Sequence, residues 1–157
     1  MSPSIIEIWK ANFAEILRLP TLKIVNGLIS QINYNNENNE RHRIPLLGPA
    51  TIWYEKNGDI SIKEYRVNNK KHNLDGPASI GYYYKTGVIS YKEYWVDNKL
   101  HRLDGPAEIN YHENGQIFFK TYYSYGINHR LDGPAYITYD ENGNITCKEN
   151  WINGVEK

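Results

Sequence analysis

The chain has little cysteine, little methionine and no net charge. Its 157 residues include one Cys and one Met, and 18 Lys and Arg balance 18 Asp and Glu. One cysteine excludes an internal disulfide framework and a multi-cysteine zinc site. A balanced charge provides no overall attraction to nucleic acid or to an anionic membrane. We therefore expect neither nucleic acid nor a membrane among the partners.

Long apolar runs and the common catalytic motifs are also missing. No run approaches the roughly 18 apolar residues of a membrane span, and the N-terminus lacks the charged-then-apolar layout of a secretion signal. We expect an intracellular protein that is not secreted. The motifs G-x-x-x-x-G-K-[ST], G-x-G-x-x-G and G-x-S-x-G do not occur. These absences favour a protein that is not an enzyme and uses no cofactor.

An internal repeat dominates what is present. Gly-Pro-Ala begins at Gly48, Gly76, Gly105 and Gly133, and His-x-Leu-Asp precedes the last three copies. A fixed period near 28 residues is the signature of a repeat architecture. We predict an array over residues 21–157, with units near 21–47, 48–75, 76–104, 105–132 and 133–157.

Each unit has the pattern of a β-hairpin. In the first full unit, alternate residues from Ala50 to Tyr54 are apolar, which is typical of a half-buried strand. Asn57-Gly58 predicts a two-residue turn with positive φ at both positions. Ile60 and Tyr65 of the return strand have opposite parity, so we expect a bulge between them or apolar contacts on both faces.

A second turn follows each return strand. Its equivalent position is occupied by Asn69, Asn98, Gly126 and Gly154. Asn and Gly alternate at one site where the backbone is left-handed.

Residues 1–20 have the pattern of an amphipathic helix. Ser4 and Glu7 form a capping-box sequence, and Pro20 ends the segment. The apolar stripe comprises Ile5, Trp9, Phe13, Ile16 and Leu17. This helix is predicted to cap the first hairpin; a dimerisation helix and a membrane-surface helix are the alternatives.

Histidine and aspartate precede three of the four Gly-Pro-Ala copies. They are His72, Asp75, His101, Asp104, His129 and Asp132. Such pairs suit metal binding or acid–base catalysis, but a catalytic centre is normally built once. We interpret them as structural turn residues, with each aspartate accepting backbone N–H groups and each histidine donating to its aspartate. A metal-binding ladder of the three histidines is the alternative. No catalytic, cofactor-binding or metal-binding residue is predicted.

Two further groups of side chains are candidates for function. Cys147 aligns with Ile62, Tyr91 and Phe119, so it is predicted to pack rather than to react. Exposed aromatic residues could stack bases or sugars, bind protein, or pack across strands. The candidate interaction surface comprises Trp53, Tyr83, Trp95, Tyr123, Tyr136 and Trp151.

The pattern Y-x-x-N-G-x-I, followed by a second turn and H-R-L-D-G-P-A, resembles the MORN-type repeat. It is most similar to the variant found in large DNA viruses of amoebae and in some bacterial antitoxin-like proteins. The resemblance covers residues 21–157. It implies an all-β fold, an elongated and twisted antiparallel meander of stacked hairpins. It further implies a viral protein of the host cytoplasm or the virion.

Together, these patterns predict a non-enzymatic scaffold that binds another protein or itself, and we expect a homodimer. A peripheral membrane or lipid-binding module is the alternative function, and a metal-dependent enzyme comes third. The usual MORN unit has Gly after the turn histidine, where this chain has Arg102, Arg130 or Asn73. That departure and the zero net charge both argue against lipid binding.

Overall fold

The computed structural model describes residues 18–157, and within this range the chain is all β, with no α-helix. A single 3-10 turn spans Pro45–Leu47. The strands are β1 (Thr21–Val25), β2 (Leu28–Asn33), β3 (Thr51–Tyr54), β4 (Ile60–Glu64), β5 (Arg66–Val67), β6 (Lys70–Lys71), β7 (Ser79–Tyr82), β8 (Ile89–Glu93), β9 (Trp95–Val96), β10 (Lys99–Leu100), β11 (Glu108–Tyr111), β12 (Ile117–Thr121), β13 (Tyr123–Ser124), β14 (Ile127–Asn128), β15 (Tyr136–Tyr139), β16 (Ile145–Glu149), β17 (Trp151–Ile152) and β18 (Val155–Glu156). The helix predicted over residues 1–20 lies almost entirely outside the described residues.

Ten strands form one antiparallel meander, in the order β1-β2-β3-β4-β7-β8-β11-β12-β15-β16. Four small hairpins, β5-β6, β9-β10, β13-β14 and β17-β18, leave this sheet after each return strand. The predicted antiparallel hairpin repeat is therefore confirmed. Each of the four units from residue 48 onward contributes two long strands to the sheet and one small hairpin beside it, whereas residues 21–47 contribute β1 and β2 and an isolated bridge between Asn35 and Arg41.

The two kinds of turn differ from the prediction in an informative way. The loop after β3 has three residues. The Gly58 N–H donates to the Glu55 carbonyl, and only the glycine has a positive φ, of 91°. The expected two-residue turn at Asn57-Gly58 is thus wrong, because the glycine forms a bulge after an ordinary turn. The two-residue left-handed turn lies instead in each small hairpin. The predicted left-handed sites have φ of 64° at Asn69, 63° at Asn98, 88° at Gly126 and 77° at Gly154.

The bulge predicted between Ile60 and Tyr65 is confirmed. Trp53 pairs with Ile62 while Tyr54 pairs with Ile60, so Ser61 is the extra residue. The same shift recurs in the other units, at Gly81/Tyr82, Asn110/Tyr111 and Thr138/Tyr139. Each bulge lets an isoleucine and a tyrosine of opposite parity lie on the same face.

The buried core is narrow and lies where successive units join. Ala50, Ala78, Ala107 and Ala135 are completely buried. Each alanine carbonyl accepts the N–H of a residue that ends the preceding return strand, as in Ala78 with Tyr65 at 2.8 Å. Only a methyl side chain fits at this junction, because the Gly-Pro turn brings the next strand directly against the previous unit.

Backbone hydrogen bonds also join the small hairpins into a second row. The N–H of Asn98 in one hairpin turn donates to the Lys71 carbonyl of the preceding hairpin at 3.0 Å. Gly126 and Gly154 make the same bond to Leu100 and Asn128, at 2.7 and 2.9 Å. Successive units are therefore fixed to each other at two separate places.

Candidate functional site

The repeat histidines join neighbouring units. The Nδ1 atom of each histidine accepts a backbone N–H from the first residue of the next hairpin turn. The pairs are His72 with Asp97 (3.4 Å), His101 with Tyr125 (3.3 Å) and His129 with Asn153 (3.1 Å). The His72 Nδ1 atom also lies 3.4 Å from the Asp97 carboxylate. The histidine column thus acts between units rather than within its own turn.

The repeat aspartates have a different partner from the one predicted. Asp104 and Asp132 each accept the Nε–H of an arginine two residues earlier, Arg102 and Arg130, at 2.8 Å. These aspartate side chains are more than four-fifths exposed. The hydrogen bond from arginine lowers the pKa of both carboxyls below its usual range. A histidine–aspartate bond within the turn is not found for these residues, so that part of the prediction is wrong.

Each heptad arginine also lies over a tyrosine ring. The guanidinium carbon is 4.1 Å from the ring centroid for Arg102 on Tyr94, and 4.0 Å for Arg130 on Tyr122. The first unit repeats the stack with Arg43 on Tyr34 at 3.9 Å. Such contacts contribute about 0.5–1 kcal/mol at exposed sites. The arginine therefore holds the heptad turn against the return strand of its own unit.

The same turns present a row of exposed leucines. Leu74, Leu103 and Leu131 are 74%, 91% and 77% exposed, and Leu46 in the first turn is 89% exposed. An isolated exposed leucine is ordinary, but one at the same position in each unit forms a regular surface feature. The sequence analysis missed this row, although the invariant leucine in the heptad was its signal.

Open grooves lie between successive leucine turns. One of about 630 Å³ is lined by residues that include Leu74, Tyr94, His101 and Leu103. The next, of about 580 Å³, is lined by residues that include Leu103, Tyr122, His129 and Leu131. The grooves repeat with the units, and the exposed leucines form their rims.

The predicted aromatic surface is only half-exposed. All six residues, Trp53, Tyr83, Trp95, Tyr123, Tyr136 and Trp151, are of intermediate burial. Several have their polar atoms occupied within the array. The Trp95 and Trp151 indoles donate to Glu93 and Glu149 at 2.8 and 2.9 Å, and the Tyr83 hydroxyl donates to the Tyr111 carbonyl at 2.6 Å. Trp95, Tyr123 and Trp151 occupy equivalent positions in their hairpins. The use of these residues as an interaction surface stays a prediction.

Acidic side chains line one face of the sheet. The register Ser79–Glu93–Glu108 places these residues side by side on neighbouring strands. Lys71 bridges Glu64 and Glu93 at 3.3 Å to each carboxylate. Burial, and then the charge of Glu93, raises the pKa of Glu108 above its usual range. This face is therefore crowded with carboxylates, and Lys71 compensates two of them.

Lysines line the opposite face. Lys63 directly precedes Glu64 in β4, so its side chain points the other way. Lys63, Lys92 and Lys120 place their amines 5.3–5.8 Å from the ring centroids of Tyr82, Tyr111 and Tyr139. Among the residues that the structure describes, no carboxylate lies within ion-pair distance of these lysines or of Lys148.

Cys147 is exposed, contrary to the prediction that it packs. It has the register expected of its column, opposite Thr138, but β16 lies at the edge of the described sheet. Its equivalents in inner strands are covered on both sides by neighbouring strands, whereas Cys147 has a neighbour on one side only.

Two kinds of feature are absent from residues 18–157. In this range no three His, Cys, Asp or Glu side chains are grouped closely enough to hold a metal ion, the histidine column included. The same range contains no helix long and apolar enough to cross a membrane. No protein-family model matches the chain, and no curated protein or solved structure is significantly similar to it.

Proposed function

We propose that the chain is a MORN-like repeat protein that acts as a non-enzymatic scaffold for protein–protein interaction, including self-association. In this proposal the array is elongated and twisted, and it comes from a virus of the kind whose repeats it resembles. A second copy of the chain is one partner, so that the protein forms a homodimer.

The observation that supports the proposal is the row of exposed leucines in the heptad turns. Leu103 and Leu131 project from turns that are held by arginine stacking and by Arg–Asp pairs. Leu74 projects from a turn in which the Asn73 side chain donates to the Pro77 carbonyl at 3.1 Å, and a buried alanine follows all three turns. Rigid, exposed apolar side chains lose little conformational freedom on binding, so their burial contributes directly to affinity. A periodic surface of this kind is typical of repeat proteins that bind other proteins.

The test replaces the leucines and compares association. The triple variant L74Q/L103Q/L131Q removes the row, and the matched triple variant Y84Q/F118Q/I127Q removes exposed apolar side chains elsewhere. We expect full-length protein to sediment as a concentration-dependent dimer, or to retain partner proteins, and the leucine variant alone to lose this. The proposal is contradicted if the full-length protein stays monomeric at high concentration and retains the same partner proteins as the leucine variant does. Stronger binding to anionic vesicles than to any protein would instead favour the lipid-binding function.

A further inference from the structure

Although the net charge is zero, lysines and glutamates lie on opposite faces of the sheet. In register, Ile52, Lys63, Ile80 and Lys92 follow one another on neighbouring strands, and Ile109, Lys120, Ile137 and Lys148 continue the row. The next residue along each strand faces the other way, and there the row includes Glu64, Glu93, Glu108 and Glu149. One face therefore carries a lysine in every unit, while the glutamates lie on the other side of the backbone.

From this separation we propose that the lysine face, defined by Lys63, Lys92, Lys120 and Lys148, binds an extended acidic segment of a partner protein. The inference deepens the proposed scaffold function and rests on it. Charge complementarity is the main argument. On the glutamate face, Arg66 pairs with Glu64 at 2.7 Å, and Lys71 pairs with both Glu64 and Glu93. The lysines have no such compensation among the described residues.

The lysines are also held in place for a ligand. The amines of Lys63, Lys92 and Lys120 lie over tyrosine rings. Attraction to the ring positions each ammonium group and leaves the N–H donors on its other side for a ligand. Isoleucines alternate with the lysines along the row, as does Ile80 between Lys63 and Lys92. A complementary segment would carry carboxylates in register with the lysines and apolar side chains between them.

The spacing of the lysines indicates the conformation of that segment. Neighbouring strands lie about 4.8 Å apart, so lysines on every second strand are about 9.6 Å apart. A polyproline II segment rises about 3.1 Å per residue with three residues per turn, which places every third side chain on one face at about 9.3 Å. In an α-helix, side chains seven residues apart lie ~10.5 Å apart. Over three intervals this spacing departs by almost 3 Å from the spacing of the lysines. Acidic segments that repel themselves are extended, as this geometry requires.

Flat or heavily charged ligands fit less well. Neighbouring strands rotate by about 20°, so Lys63 and Lys148, six strand steps apart, face directions about 120° apart. A planar membrane cannot contact both, whereas a flexible peptide can follow the twist. Duplex DNA carries about 17 phosphates over the same ~29 Å, far more than four lysines neutralise. The tyrosine rings are covered by lysine, so bases have no open ring on which to stack.

The experiment measures binding of labelled peptides to the full chain by fluorescence anisotropy. The probes are (Glu-Pro-Ala)₄, the charge-reversed (Lys-Pro-Ala)₄ and a peptide of equal charge with its glutamates spaced by seven. We expect the first probe to bind tightest, and its affinity to fall as salt is raised. The variant K63Q/K92Q/K120Q/K148Q should lose at least about tenfold in affinity, since four ion pairs with the peptide are removed.

Two controls keep the result interpretable. K23Q/K56Q/K70Q/K99Q removes the same charge from exposed lysines outside the row and should bind like wild type. If the glutamine variant unfolds, the arginine variant K63R/K92R/K120R/K148R keeps the charge and should keep the affinity.

Several results would overturn the inference. They are equal losses in both glutamine variants, no preference for the acidic probe, or tighter binding of phosphatidylserine vesicles or single-stranded oligothymidine through the same lysines. If acidic peptides fail while leucine-dependent association persists, the scaffold function stands and only the acidic ligand is wrong. If both fail, the scaffold function falls as well.

Discussion

Gly81 offers the sharpest test of the register between strands. It lies in β7 directly opposite Tyr91 of β8 and is buried, and a methyl group added there would overlap the tyrosine ring. The equivalent pairs, such as Asn110 with Phe119, have a side chain where this unit has none. The Tyr91 ring therefore occupies the space above the glycine.

We predict that Gly81→Ala destabilises the protein. Overpacking typically costs about 1–3 kcal/mol, and about 2–4 °C of melting temperature is lost per kcal/mol in a chain of this size. The expected decrease is roughly 2–12 °C. The half-buried ring can swing outward, which favours the lower half of that range.

Thermal unfolding followed by circular dichroism measures the effect against a matched glycine. Gly76 has no positive φ, and an added Cβ there would meet the Asn73 side chain at an ordinary 3.6 Å. Gly76→Ala should therefore be neutral, or stabilising by ~0.4–1 kcal/mol through the unfolded state. Tyr91→Ile in the Gly81→Ala background should restore part of the loss, because the two side chains are in contact. Equal melting temperatures for the two alanine variants, or no restoration by isoleucine, would refute the pairing of Gly81 with Tyr91.

Three other variants test the charges and turns. Glu108→Gln should stabilise the protein at neutral pH, because burial and Glu93 raise the pKa of this carboxyl and make its charged form costly in the folded state. Its advantage over wild type should shrink as the pH falls through that raised pKa, and urea unfolding at several pH values measures this. Arg102→Ala should lower the melting temperature more than Asp104→Ala. It removes the contact with the Tyr94 ring, worth about 0.5–1 kcal/mol, as well as the pair with Asp104. The reverse order would contradict a stabilising role of the ring contact. Asn98→Val should cost about 1–2 kcal/mol more than Asn98→Gly at a φ of 63°, because both variants lose the Asn98 Oδ1 that accepts the Lys71 N–H at 2.7 Å and only valine adds backbone strain. Similar stabilities of the two variants would exclude backbone strain.

Local patterns were enough to predict the hairpin architecture. Period-two alternation identified the strands, because side chains alternate across any β-strand whatever lies beside it. The opposite parity of Ile60 and Tyr65 predicted either a bulge between them or apolar contacts on both faces, and the bulge lies at Ser61. The exchange of Asn69 with glycine in other units predicted the left-handed turn. Each of these properties depends on a few consecutive residues, so the sequence alone carries it.

The loop between the long strands shows where local reasoning stopped being sufficient. Asn57-Gly58 is compatible with a two-residue turn and with a three-residue loop closed by a glycine bulge. The bulge at Ser61 shifts the pairing of the return strand, and the loop has the length that this pairing requires. The residue types were correctly assigned to a turn, but their register was set by the strands on either side.

The candidate surfaces depended on contacts between units. Sequence spacing placed His101 beside Asp104, yet its Nδ1 accepts a hydrogen bond from the backbone N–H of Tyr125, in the next unit. Likewise 18 positive and 18 negative side chains give no net charge, and only the register between strands puts the lysines on one face and the glutamates on the other. Composition and spacing can be read from each segment of the chain separately. Hydrogen-bond partners and surface charge arise when segments about 28 residues apart are brought side by side, and that step belongs to the tertiary structure.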